Sequence, residues 1–194
     1  MKPFKKDMWT ENVILADADY LDRVAFELIV NFERMLGRRV PPADLCHMAD
    51  CLALDGGLRP GDNETTFVLL HDKGKKALAN FKPADYETEL TAQAFRDNLG
   101  EFVLQAFPVE DIVSKEAFFI QSLEQALTAK EVKRLMIIPD ESYRSAVAKT
   151  MSAVDDKTQT LFSMLEPLPG LRHPQELLGY AMMSALGIRS EELG

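Results

Sequence analysis

A chain of 194 residues, 46% apolar and 27% charged, is long enough to bury one continuous core without disulfides or a structural metal. Its balance excludes disordered, collagen-like and repeat architectures. The net charge of −9, from 31 acids against 22 bases, opposes non-specific binding to nucleic acid or an anionic membrane unless the bases gather on one face.

The first ordered signal is "NVILAD", residues 12–17, a short apolar run bounded by polar residues that predicts a buried strand. The run is broken by Asp17 before a signal-peptide core is reached, and no window approaches the roughly 18 uncharged apolar residues of a membrane span. A cytoplasmic protein without a membrane partner is therefore expected. "DYLDRVAFELIVNFERMLG" sets Leu21, Val24, Ala25, Leu28, Ile29, Phe32 and Met35 at helical spacing, with Gly37 as the stop. After "RRVPP", a second helix carries Leu45, Met48, Ala49 and Leu52 on one stripe, with Pro41 and Pro42 before its first turn. Its two cysteines, Cys46 and Cys51, point to different faces and are expected as free thiols.

"TTFVLLHD" is the second expected strand, and "KGKKALANF" supports at most a short helical turn. Residues 81–100, "FKPADYETELTAQAFRDNLG", mix helix formers and breakers and are expected as an irregular insertion. "EFVLQAFPVE" predicts a third strand ended by Pro108, and Ser114 is placed to cap a helix over "KEAFFIQSLEQALTA". "VKRLMIIPD" is a fourth strand, "ESYRSAVAKTMSAV" a helix and "TQTLFSMLE" a fifth strand. "PQELLGYAMMSALGI" is a closing helix with Pro174 in its first turn. It is apolar almost all round, as expected of a helix buried against the sheet or against a second subunit of a homodimer.

Strand and helix alternate from end to end, and the strands are apolar throughout. This predicts one domain over residues 1–194, an α/β fold built as a three-layer α/β/α sandwich. Its sheet is mostly parallel and Rossmann-like, with about five strands. In such sheets ligands bind outside the carboxyl ends of the strands. The residues there are Asp17 and Asp19, His71 and Asp72, Glu110 and Asp111, and Asp140 and Glu141. Two accounts of this acidic rim stay open. A hard cation, Mg²⁺ or Mn²⁺, takes oxygen ligands of this kind and activates water against a phosphodiester. Aspartates past a strand also cap helices and favour the positive end of the dipole, which accounts for Asp19 and Asp140 individually.

The strand ending in Asp17, the helix after it and the later "LMIIPDESYRSAV" together resemble the PIN-like and NYN-domain nucleases. In those families a strand runs into Gly-Asp-x-Asp-Phe followed by a helix. By position Asp17 matches the first-strand aspartate, Asp140 the first aspartate of the later motif and Tyr143 its aromatic residue. The resemblance implies a metal-dependent phosphodiesterase or ribonuclease acting on RNA or a phosphate ester. Asp17 and Asp140 would be catalytic, and Asp17, Glu110 or Asp111, and Asp140 would hold Mg²⁺ or Mn²⁺. Pro139 stands in place of the motif glycine and Ser142 in place of its second aspartate, and only Glu116 could supply the acid of the helix after strand three. Read strictly, this is a degenerate member, which gives the alternative of a non-catalytic scaffold or protein-interaction domain. The whole chain is also similar to uncharacterised bacterial proteins of unknown function.

"VILADADYL" resembles the haloacid-dehalogenase-like phosphatases, with Asp17 as nucleophile and Asp19 as acid/base. Leu21 and His71 stand where those families carry Thr or Val and Ser or Thr. The turn "ADADYLD" has no glycine for a dinucleotide phosphate. His47 and Cys51 are four apart on one helical face but lack the partners of a zinc site. His71 with Asp72 reads as a catalytic pair or as a structural histidine. The clusters "RMLGRR", "DKGKK" and "KEVKRL" form a nucleic-acid path only if the fold unites them.

Overall fold

A computed structural model describes residues 8–194. Strand β1 (Asn12–Asp17) is buried at every position, and its alternate residues enter two separate cores. Ile14 and Ala16 pack with helices α1 (Ala18–Leu36), α2 (Leu45–Asp55) and α5 (Leu178–Ala185). Val13 and Leu15 pack with α3 (Lys115–Thr128) and α4 (Arg144–Ser152). A period of two on a fully apolar strand thus sends alternate residues into two cores, each shared with helices.

The other strands are β2 (Ala43–Asp44), β3 (Glu64–His71), β4 (Phe81–Lys82), β5 (Gln93–Asp97), β6 (Gly100–Pro108), β7 (Arg134–Ile138), β8 (Thr158–Ser163) and β9 (Gln175–Leu177). The main sheet has seven strands rather than about five, in the order β5-β6-β3-β1-β7-β8-β9. All neighbours are parallel except the hairpin of β5 and β6. Taken in chain order, the six parallel strands lie 3-2-1-4-5-6, the doubly wound arrangement of a Rossmann-like sheet. Successive strands are placed outward from β1 on one side, and the chain then crosses to the other side at β7.

The helix ends follow their local chemistry. Gly37 closes α1 in the left-handed conformation, its N–H donating to Glu33 O, and Ser114 caps α3 by accepting from Ala117 N. Asp44 caps α2 by accepting from His47 N.

Residues 81–100 are not irregular. Phe81–Lys82 pairs in parallel with Ala43–Asp44 as a separate small sheet. Tyr86–Leu90 is a π-helical turn capped by Asp85, and Gln93–Asp97 is the antiparallel edge strand. Gly100 turns this hairpin at φ +104°, where a Cβ would lie 2.1 Å from Asn63 O. The closing helix also starts later than expected. Gln175–Leu177 adds a strand beside β8, the helix begins at Leu178, and Tyr180 on its outer side is exposed.

Candidate functional site

In a doubly wound sheet the crevice lies where the strand order reverses. Here that point falls between β1 and β7, so Asp17 and Asp140 flank it. Asp17 is 0% exposed. Its Oδ1 accepts from Tyr20 N at 3.1 Å and from Lys115 Nζ at 3.4 Å, and its Oδ2 accepts from Tyr143 OH at 2.5 Å. The cap of α1 is therefore Asp17 and not Asp19. The strand already points Asp17 at the first turn, whereas Asp19 lies inside the helix.

Asp19 turns the other way. Its Oδ2 accepts from Asp72 N at 2.8 Å and from Lys115 Nζ. Lys115 also reaches Asp72 Oδ1 at 3.1 Å. One ammonium group thus gathers three carboxylates, two from the end of β1 and the start of α1 and one from beyond β3. Lys115 is the first residue of α3, a position where the helix dipole disfavours a cation. Such a placement is tolerated because acids face it, and it is the one signal in the sequence that could have singled the lysine out.

Asp140 caps the 3₁₀ turn Glu141–Tyr143 through Ser142 N at 2.9 Å, and Arg23 donates to its Oδ2 at 2.8 Å. Tyr20 OH donates to Glu141 Oε1 at 2.9 Å. On the next turn of α1, Asp22 accepts from Ala79 N and Asn80 N at 2.9 and 2.8 Å, fastening the segment before β4.

Burial pushes the Asp17 carboxyl above its ordinary value, while Lys115 and the Tyr143 hydroxyl offset part of that rise. Burial pulls the Lys115 amine down, but Asp17, Asp19 and Asp72 outweigh it and leave it above its ordinary value. Asp140 feels burial as well, yet the hydrogen bonds from Arg23 and Ser142 hold it below the usual range. Burial and the neighbouring Asp17 raise Tyr143, so its hydroxyl remains a donor.

The other expected ligands stand apart from this network. The Asp111 side chain is 73% exposed in the loop after β6, and Lys73 pairs with it at 2.6 Å. Glu110, next to it, lines a surface depression with Lys73 and Ile112. Glu116 follows Lys115 in the first turn of α3. Asp17, Asp111 and Asp140 are thus each committed to a protonated partner. Among the described residues, no group of three or more His, Cys, Asp or Glu is disposed to hold a metal ion. This arrangement does not fit Mg²⁺ or Mn²⁺ bound as the resemblance implies.

His71 and Asp72 do not form a side-chain pair. His71 Nδ1 meets the Asp72 carbonyl oxygen at 2.9 Å, and the ring stacks on Tyr86 with centroids 3.8 Å apart. His47 Nε2 lies 2.7 Å from Ser184 Oγ, and both cysteines are free thiols. Burial raises Cys46 to about 11. Of the basic clusters, Arg38 is bound by Glu192 and Lys73 by Asp111. No helix among the described residues is long and apolar enough to cross a membrane.

The model of a family of unknown function (DUF6621) matches residues 6–193. No curated protein and no solved structure matches the chain.

Proposed function

The chain belongs to that family of unknown function, and from the crevice geometry we propose that it is a non-catalytic interaction domain on a nuclease-like sheet order, three-layered in build. The observation that carries this reading is Lys115, which reaches Asp17, Asp19 and Asp72 together. A divalent ion needs carboxylate oxygens that are free to coordinate it. In Asp17 one oxygen is taken by the cap and the lysine and the other by Tyr143. The acids then act as a clasp that ties β1, α1, α3 and the 3₁₀ turn after β7 into one unit. Ser142, in place of a second carboxylate, suits this role, because Arg23 faces Asp140 as a single ion pair. The partner of such a domain is another protein or a second copy of the chain.

One observation favours the opposing reading, a phosphodiesterase or ribonuclease site at Asp17 and Asp140. Asp17, Asp19, Asp72, Asp140 and Glu141 place five carboxylates around two cations, Lys115 and Arg23. They do so at the crevice where ligands bind in doubly wound sheets. Calorimetric titration with Mn²⁺ separates the two, run beside an assay of single-stranded RNA cleavage. The interaction-domain reading expects no saturable heat and no cleavage from the wild type. Mn²⁺ binding together with RNA cleavage, both lost in Asp17→Ala and Asp140→Ala, would overturn it.

A further inference from the structure

The C-terminal half of α1 carries more apolar surface than the core takes up. From Phe26 to Leu36 the chain reads FELIVNFERML, and of its apolar residues only Phe32 is buried. Phe26, Val30 and Met35 are 55%, 39% and 66% exposed. At about 100° per residue, Phe26, Val30 and Arg34 follow one another a turn apart along a stripe. This stripe lies opposite Leu21, Ala25 and Phe32, the side that enters the core. Glu27 and Asn31 border it on one flank and are exposed, as is Arg34.

The charges of the stripe lack close partners within the chain. Neither Glu27 nor Arg34 forms an ion pair among the described residues. Glu27 does act on Arg23 one turn away, but that guanidinium is bound by Asp140.

The stripe is also self-complementary about Val30. When two copies of one helix pack antiparallel across a two-fold axis, each contact occurs twice. With Val30 on the axis, Phe26 of one copy lies opposite Arg34 of the other, and Glu27 flanks the same guanidinium. Each Arg34 then meets an aromatic ring and a carboxylate of the second copy. At the ends Arg23 falls opposite Gly37, and Arg38 beyond it is already neutralised by Glu192. The closing helix offers no comparable face, because Leu178, Ala181, Met182 and Ala185 are buried within the chain itself.

We propose that the stripe Phe26–Val30–Arg34 of α1 is the contact of a two-fold homodimer, in which a second copy of the chain docks antiparallel on the first. This names the partner of the interaction-domain reading and rests on it. The contact spans about three turns of helix and is smaller than a standard interface of roughly 1,200–2,000 Å². A weak dimer with Kd on the order of 10–100 µM is therefore expected.

Sedimentation velocity of the full chain from about 5 to 500 µM is expected to show monomer passing into dimer. Glu27→Arg and Arg34→Glu, at exposed positions that leave the core intact, each set like charges against one another across the axis. Each is expected to weaken the dimer about tenfold or more. Mixed in equal amounts, the two variants are expected to pair with each other at about wild-type affinity, since each supplies the charge that the other lacks. A chain still monomeric at about 500 µM would overturn the proposal. So would a dimer that neither reversal weakens, or two weakened variants that do not pair when mixed. The two readings fail separately. Mn²⁺-dependent RNA cleavage would refute the interaction domain whatever the oligomeric state, whereas a monomer that neither binds Mn²⁺ nor cleaves RNA would refute the dimer alone.

Discussion

Lys115→Met removes the ammonium group that three carboxylates share and keeps much of its aliphatic length. Asp17 lies at the centre of that network and is wholly buried. Stripping one partner from a buried pair costs about 3–5 kcal/mol, because the remaining charge is left uncompensated. The lysine side chain is 19% exposed, so solvent screens part of the loss and the lower end, about 3 kcal/mol, is expected. For a chain of this size that corresponds to a fall in Tm of roughly 6–12 °C. Urea unfolding followed by circular dichroism measures it directly. Asp17→Asn, which keeps the cap acceptor, is expected to lower the stability as well. The two changes combined should cost less than their sum by at least about 1 kcal/mol, since each removes the same interaction. The lysine pKa is raised in the folded state, so its contribution is complete below the unfolded value and is lost only as pH rises through the folded one. The Lys115→Met penalty should therefore be constant between about pH 6 and 9. A penalty below about 1 kcal/mol, or strict additivity with Asp17→Asn, would refute the clasp.

Tyr143→Phe leaves Asp17 Oδ2 without its donor and is expected to cost about 1–3 kcal/mol in the same unfolding assay, and a neutral result would show that water replaces the hydroxyl. Asp50 in α2 is raised to about 7 by burial and by its hydrogen bond to Asp97 at the end of β5. Its folded pKa exceeds the unfolded value of about 4, so the stability it contributes is complete below that value and is lost as pH rises through 7. The urea midpoint should therefore fall between about pH 4 and 7, and less so in Asp50→Asn; equal pH dependence in the two proteins would exclude the shared proton. Gly100→Ala is expected to cost about 2 kcal/mol or more, from the positive φ and the collision with Asn63; a change within about 0.5 kcal/mol would mean that the hairpin shifts freely.

The elements legible in the sequence are those whose burial is continuous. β1, β3, β7 and β8 are almost wholly buried, so each stands out as an apolar run between polar residues. The illegible elements lack that signature for separate reasons. β4 and β9 have two and three residues, too few to show a period. β5 sits on the sheet edge with its residues half-buried or exposed, and its pairing is set by the turn at Gly100 instead of by apolar alternation. The π-helical turn depends on Asp85, whose carboxylate accepts from Glu87 N and Thr88 N, a local bond that composition does not reveal.

The acids of the crevice were legible because parallel strands end there, but their partners were not, since Lys115 is 98 residues from Asp17 and Arg23 is 117 from Asp140. That separation decides how the rim should be weighed. From strand ends alone, a cap and a metal ligand look alike, because both need an acid just past the strand. The folded chain divides the acids by exposure instead. Asp17, the most buried, has donors on both oxygens, and Asp140 has Arg23 and Ser142. Asp72 and Glu141 are exposed, so water screens the negative charge that Lys115 and Arg23 leave unmatched. A divalent ion drawn by that excess would meet its weakest ligands at the surface and would have to expel Lys115 to reach the strongest one.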